Sequence, residues 1–285
     1  MCEMGLTWRL VLQGDILNFG MGVEKAKASG LDVQMVMVGD DAGVGRKQGG
    51  KVGRRGIAGT VLVHKVAGAL AATGASLDDV AKVAQLTADN VVSIGSSLAH
   101  VHVPGREVGE EDVGMGEVEV GMGIHNEAGS ERVKEGLGEL VGRMLRYMLD
   151  PKDEDRAFLQ VSENDEIVLL VNNLGGVSVL ELGGITNEVV EQLARDWKIR
   201  PVRILAGTYM TSLNGLGFSI SLLKVQDTGL GEGKSMLELL DAPVEATGWA
   251  AAVKPETWKK SWDEAKEQAA ADEEAAKPSN LQSKS

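Results

Sequence analysis

The chain is predicted to be an α/β protein, and three observations carry that prediction. Short apolar runs such as Val33-Gln34-Met35-Val36-Met37-Val38 and Glu166-Ile167-Val168-Leu169-Leu170-Val171 stop at Gly, Asp or Asn, as buried strands do. Stretches with apolar residues at helical spacing lie between such runs. Glycine is abundant at 37 residues while aromatics are only 4%, which suits a loop-rich α/β chain with small residues at its turns.

The 285 residues have room for one large or two ordinary domains, and 43% hydrophobic with 25% charged residues is the balance of a globular protein. A net charge of −13 argues against a nucleic-acid partner and against docking on anionic membranes. The single cysteine, Cys2, excludes an internal disulfide. No apolar run reaches the roughly 18 residues of a membrane span, and the start lacks the pattern of a signal peptide. The expected location is cytoplasmic.

Met1 to Gln13 holds one short apolar run that reads as a strand. Asp15 then opens a helix in which Ile16, Phe19 and Val23 repeat, and Ser29-Gly30 stops it. A carboxylate there is either a helix cap or an acceptor for a substrate hydroxyl. Val33–Val38 is the next strand, and Gly39-Asp40-Asp41 ends it. Paired aspartates could hold a divalent metal or act as acid and base, but a turn with a helix cap is the preferred reading. Residues 43 to 56 form a glycine-rich loop carrying Arg46, Lys47, Lys51, Arg54 and Arg55. It lacks a P-loop ending, so it reads as a basic loop that docks on an acidic partner or a phosphate-bearing domain.

Ile57 to Thr73 is an apolar helix, with His64 and Lys65 taken as structural residues within it. Gly74-Ala75 breaks it, and a domain boundary is expected there. Ser76 caps a further helix, with Asp79 three residues on and an inner face of Leu77, Val80, Val83, Ala84, Ala88 and Val91. His100 and His102 alternate with Val101 and Val103 in a strand-like run ending at Pro104-Gly105. Two histidines on one strand face suit a metal, yet no third ligand is evident, so no metal site is expected.

Glu117–Val120 reads as a strand, and Gly121-Met122-Gly123-Ile124-His125-Asn126-Glu127-Ala128-Gly129 follows it. Ser130 is the expected cap of a helix from Arg132 to Met148. His125 thus sits past a strand among glycines, where it either hydrogen-bonds within a turn or attacks a carbonyl carbon through a neutral ring nitrogen. Beyond it come the 166–171 strand, the turn Asn172-Asn173-Leu174-Gly175-Gly176, a helix over 178–198, strands at 202–206 and 217–222, and a short helix near 235–240. Ligands in such sheets usually lie at strand carboxyl ends, where His125 and the 172–176 turn both fall. From Lys254 the composition turns to Lys, Glu, Ala and Ser; Trp258 and Trp262 could pin one helical turn, and the chain after about Ala270 reads as a disordered tail or linker stub.

The segment Gly121–Gly129 resembles the stretch through which dihydroxyacetone kinases hold their substrate covalently. Gly45–Thr60, Ser97–Gly105 and Asn172–Gly176 agree with that family in the same order, and the resemblance covers about 14 to 245. It implies a DhaK-like fold: a remnant of a first α/β domain (1–75), a second α/β domain with the histidine (76–250), and a tail (251–285). It also implies that His125 forms a hemiaminal with dihydroxyacetone, that Asp15 is the candidate base, and that Gly14 and Asp15 bind the substrate. ATP and Mg are expected on a helical nucleotide-binding domain or subunit absent from this chain, and a homodimer is possible by family.

Two departures qualify the match. The family carries a Lys-Asn-Tyr-Thr-Gly-Asp motif where this chain keeps only Gly14-Asp15, with Leu10 in the lysine position. It also carries about a hundred residues before this point, including a Ser-Gly-His-Glu-Pro motif with a second active-site histidine. The expected function is therefore a phosphotransferase component that binds dihydroxyacetone for ATP-dependent phosphorylation. The alternative is a catalytically inactive fragment or binding protein that retains the kinase fold.

Overall fold

A computed structural model describes residues 5–10, 13–49, 53–101, 105, 113–125, 127–162 and 164–257. The order of elements is β1 (Gly5–Leu10), α1 (Gln13–Ala28), β2 (Val33–Val38), α2 (Arg46–Gly49), α3 (Thr60–Ala72), α4 (Leu77–Asp89), β3 (Val91–Ser97), β4 (Val118–Val120), β5 (Glu131–Val133), α5 (Leu137–Leu149), β6 (Ile167–Asn173), α6 (Val179–Trp197), β7 (Arg203–Gly207), β8 (Gly217–Lys224) and α7 (Met236–Asp241). The chain is α/β, as expected.

Strands β1 and β2 pair in parallel across α1, with Leu10 opposite Val38. The other six form one sheet in the order β5-β4-β3-β8-β6-β7. In it only β6 and β7 run parallel; β3 to β4, β4 to β5, β3 to β8 and β6 to β8 are antiparallel. The sheet is therefore mixed, with β8 returning between β3 and β6.

Alternation along the central strands divides the sheet into two faces. On one face Val91, Leu223, Val168, Leu170 and Leu205 join the buried core of α3 and α4, which also takes in Val36 and Val38 of β2. This core runs across residue 75, and the chain as far as Ala252 is one compact unit. Val92, Ile94, Leu222, Leu169 and Val171 lie on the other face and are fully buried, where α5 and α6 pack on β3, β6 and β7. Residues 253–257 belong to a second unit, in which the Thr257 amide donates to the Lys254 carbonyl (2.9 Å). Trp258 and Trp262 lie outside the described residues.

Three expectations need correction. The helix expected from Arg132 begins at Leu137 instead, because Glu131–Val133 adds to the edge of β4, with Val118 opposite Val133. Val91 is not on the inner face of α4: that helix ends at Asp89, and Val91 starts the central strand β3, every residue of which is buried. The strand-like run through His100 is displaced as well, since β3 stops at Ser97 and His100 is in the following loop; His102 lies outside the described residues. Helix α6 matches its expected span closely, because Ser178 accepts the Glu181 amide and Glu181 reaches back to the Ser178 amide, a capping box. No helix among the described residues is long and apolar enough to cross a membrane.

Candidate functional site

The loop between β4 and β5 carries His125, and it is tied down along its length. Gly121 turns the chain with φ 75°, a conformation suited to glycine. Its amide donates to the Gly95 carbonyl of β3 (2.7 Å) and its own carbonyl accepts from Arg55 Nη2 (2.7 Å). At the other end the Gly129 amide donates to Glu119 Oε1 (2.6 Å), and the Ser130 amide and hydroxyl both donate to the Val120 carbonyl (2.8 and 3.0 Å). The Ser212 hydroxyl holds the Ile124 carbonyl from the far side. His125 is left at the crest with 58% of its side chain exposed. Its amide donates to Glu127 Oε2 (3.0 Å), and its ring Nδ1 stands 3.5 Å from Glu127 Oε1.

Behind the loop lies a buried polar knot. Asp41 is fully buried, and Arg55 Nε donates to its Oδ2 while the Gly43 amide donates to its Oδ1 (both 2.7 Å). Burial pushes the Asp41 carboxyl up to about 6, and the Arg55 charge acts against that rise. Asp40, equally buried, accepts the Ile57 and Gly59 amides (2.7 and 2.8 Å) at the start of α3, and burial raises its pKa too. The paired aspartates are therefore a tie between β2, the 55–59 segment and the His125 loop. Among the described residues no group of three or more His, Cys, Asp or Glu side chains could hold a metal ion.

A cleft opens beside the loop on the sheet face that bears Gly95, Asn172 and Ser219, walled by Ile57, Met122, Ile124, Leu174 and Met210. Its accessible volume is about 10 Å³, room for about one water. Asn172 spends its amide on its own chain: Oδ1 accepts the Tyr209 and Met210 amides (both 2.9 Å) and Nδ2 donates to the Met210 carbonyl (2.8 Å). The structure thus brings Ile124, the neighbour of His125, and Asn172 and Leu174 of the 172–176 turn to one cleft. A much larger groove of about 780 Å³ runs between α5 and α6, lined by charged residues such as Glu139, Arg146 and Glu188, with no residue of the His125 loop in it.

Asp15 lies in the first turn of α1, which starts at Gln13 rather than at Asp15 itself. Gly14 and Asp15 follow the carboxyl end of β1, the same end of that sheet from which Gly39–Asp41 departs. The basic loop docks on the chain's own acidic loop. Arg46 donates to the Glu154 and Ala157 carbonyls (both 2.9 Å), the Lys47 amide donates to Asp155 Oδ1 (2.9 Å), and Arg46 and Arg54 both stack on Phe158. His100 contacts buried Glu119 (2.7 Å), which Arg132 also approaches (3.4 Å). Burial pushes Glu119 upward, yet the Gly129 amide, His100 and Arg132 hold it below the usual carboxylate range. Lys65 is buried and donates to the Leu239 carbonyl at the end of α7 (2.8 Å).

Sequence reasoning missed Arg55, Asp41, Glu119, Glu127 and Ser212 as supports of His125. Glu127 alone had a local signal, being two residues from the histidine.

The Dak1 domain family matches residues 11–248. The chain belongs to that family. A dihydroxyacetone kinase of Pichia angusta is 46% identical over 260 residues, which is 86% of this chain and 42% of that one. The Dak1 chain thus spans less than half the length of the curated relatives it matches. The structure of the C. freundii dihydroxyacetone kinase in complex with AMP-PNP and Mg2+ is similar with a TM-score of 0.74 and 33% identity, covering 88% of this chain and 43% of that one. A dihydroxyacetone kinase operon co-activator, Dha-DhaQ, is similar with a TM-score of 0.73 and 26% identity, covering 88% of this chain and 73% of that one.

Proposed function

We propose that this Dak1 domain is the substrate-holding part of a dihydroxyacetone kinase, capturing dihydroxyacetone as a hemiaminal on His125. The observation that carries the reading is an exposed imidazole on a strapped glycine loop, next to Ile124 in the wall of a small, mostly apolar cleft. A triose has little surface to bury, so a reversible bond from a fixed nucleophile supplies the orientation that contacts cannot. His125 attacks the ketone carbon through one ring nitrogen. Asp15, which with Gly14 would bind the triose, acts as the base for the hydroxyl that receives the phosphoryl group. Glycerol has no carbonyl and escapes capture.

ATP and Mg do not fit the residues described. The guanidiniums of the basic loop are occupied by Phe158, Asp41 and backbone carbonyls, and no carboxylate set could hold a metal among the described residues. In this reading the nucleotide comes on a helical domain or subunit beyond them, in the cytoplasm. The likeness to an operon co-activator favours one second reading, a protein that captures the triose without passing a phosphoryl group to it.

Native mass spectrometry of the chain with dihydroxyacetone tests the proposal. The mass should rise by one triose, His125→Ala should abolish the gain, and glycerol should give none. Asp15→Asn should weaken capture less than His125→Ala does. An adduct that persists in His125→Ala would overturn it. Adding a nucleotide-binding kinase domain with Mg-ATP separates the two readings, since only the first yields phosphorylated triose.

A further inference from the structure

We propose that Glu127 is the positioning residue for His125, keeping the ring proton on Nδ1 so that Nε2 presents the lone pair to the ketone. The proposal rests on the reading that His125 captures the substrate. Its ground is a carboxylate that reaches both the backbone and the ring of one residue. Glu127 Oε2 accepts the His125 amide (3.0 Å) while Oε1 faces the ring Nδ1 (3.5 Å). The contact to Nδ1 is longer than a made hydrogen bond, as catalytic contacts commonly are before the substrate is bound.

The loop is built around that carboxylate. The Gly123 amide donates to the Glu127 carbonyl (3.0 Å), closing the turn. A Cβ on Gly123 would stand 2.1 Å from Glu127 Oε2 and 2.6 Å from Arg55 Nη1, so carboxylate and guanidinium converge over the bare glycine. Arg55 is itself fixed by buried Asp41 and by the Gly121 carbonyl (each 2.7 Å). A chain of charge thus runs from Asp41 through Arg55 to the Glu127 side of the histidine.

In a neutral histidine the nitrogen that keeps the proton is set by what the other faces. With Nδ1 turned to a carboxylate, the proton stays on Nδ1 and Nε2 is the nucleophile. On capture the bond from Nε2 to the carbonyl carbon forms and the C=O π bond breaks. Its electron pair goes to oxygen, which takes a proton from water. The imidazolium so formed gives its Nδ1 proton to Glu127, which passes it to the hydroxide left from that water, so that carboxylate and water are restored and the hemiaminal is neutral.

Long-range proton–nitrogen correlation spectra of ¹⁵N-labelled chain read the tautomer directly, with His125→Ala assigning the signals. Wild type should show Nδ1 protonated and Nε2 bare. Glu127→Ala should move the proton toward Nε2 and weaken capture tenfold or more. Glu127→Asp should restore part of both, and Glu127→Gln, with one accepting oxygen for the two contacts, should lose capture because it cannot take the proton. A wild-type ring protonated on Nε2, or capture unchanged in folded Glu127→Ala, would overturn the role. If the tautomer follows Glu127 but wild type takes up no triose, the positioning stands and the function it rests on falls.

Discussion

A methyl group at Gly123 has nowhere to go except into the carboxylate of Glu127 and the tip of Arg55. Both are ends of flexible side chains, so they can yield, and Gly123→Ala should cost the fold little while moving the two groups that face His125. We expect triose capture in this variant to fall toward that of Glu127→Ala, with a thermal midpoint within a few degrees of wild type. Unchanged capture would show that neither group matters to the histidine. At this scale the His125 loop stands out in the sequence, because its motif lies within nine consecutive residues. Its supports do not. Arg55, Asp41, Glu119 and Ser212 come from four separate stretches, and only the fold brings them to one loop. Asp41 in particular looks like a metal or acid–base residue until Arg55 is seen to occupy it.

Among the elements, β3 is the longest one missed, beside the short β5 and α2, and the reason is chemical. Ser93, Gly95, Ser96 and Ser97 supply none of the β-branched or aromatic residues that mark a strand. The small residues are there because the sheet is crowded: Ser93 Oγ bonds Ser221 Oγ across the β3–β8 pair (2.6 Å), and the Gly121 amide reaches the Gly95 carbonyl. Helix α6, by contrast, was readable to within a residue because its cap is local. Ser178→Ala should therefore destabilise the domain by about 1 kcal/mol, seen as a lower denaturant midpoint, with triose capture by the folded chain unaltered. The basic loop behaves as an element in its own right. Phe158→Ala removes the ring shared by Arg46 and Arg54, and amide exchange over 43–49 should quicken while that of β6 holds. Equal exchange in both chains would mean that the backbone contacts to Glu154 and Ala157 suffice.

For the whole molecule, the α/β class followed from periodicity, whereas the mixed order of the sheet did not. Antiparallel return of β8 between β3 and β6 depends on contacts far apart in sequence, which local patterning does not encode. The buried knot that joins β2 to the His125 loop also gives stability a pH dependence. Burial holds Asp41 at about 6 against an ordinary 3.8. Between those values the folded chain binds more protons than the unfolded chain, so this group's contribution to stability declines as pH rises from about 4 to 6. The stability of wild type relative to Asp41→Asn should decline across the same window in denaturant melts. A rise there would mean that Arg55 dominates and keeps the carboxyl charged.

The central claim is that this chain captures a ketone covalently through His125. Dihydroxyacetone labelled with ¹³C at its carbonyl carbon, mixed with the chain at neutral pH, reads that bond directly. The account predicts a new, protein-broadened resonance in the range of a tetrahedral carbon bearing oxygen and nitrogen. It should be absent with His125→Ala. A spectrum of free ketone and its hydrate alone, in the presence of folded wild-type chain at saturating triose, would contradict it.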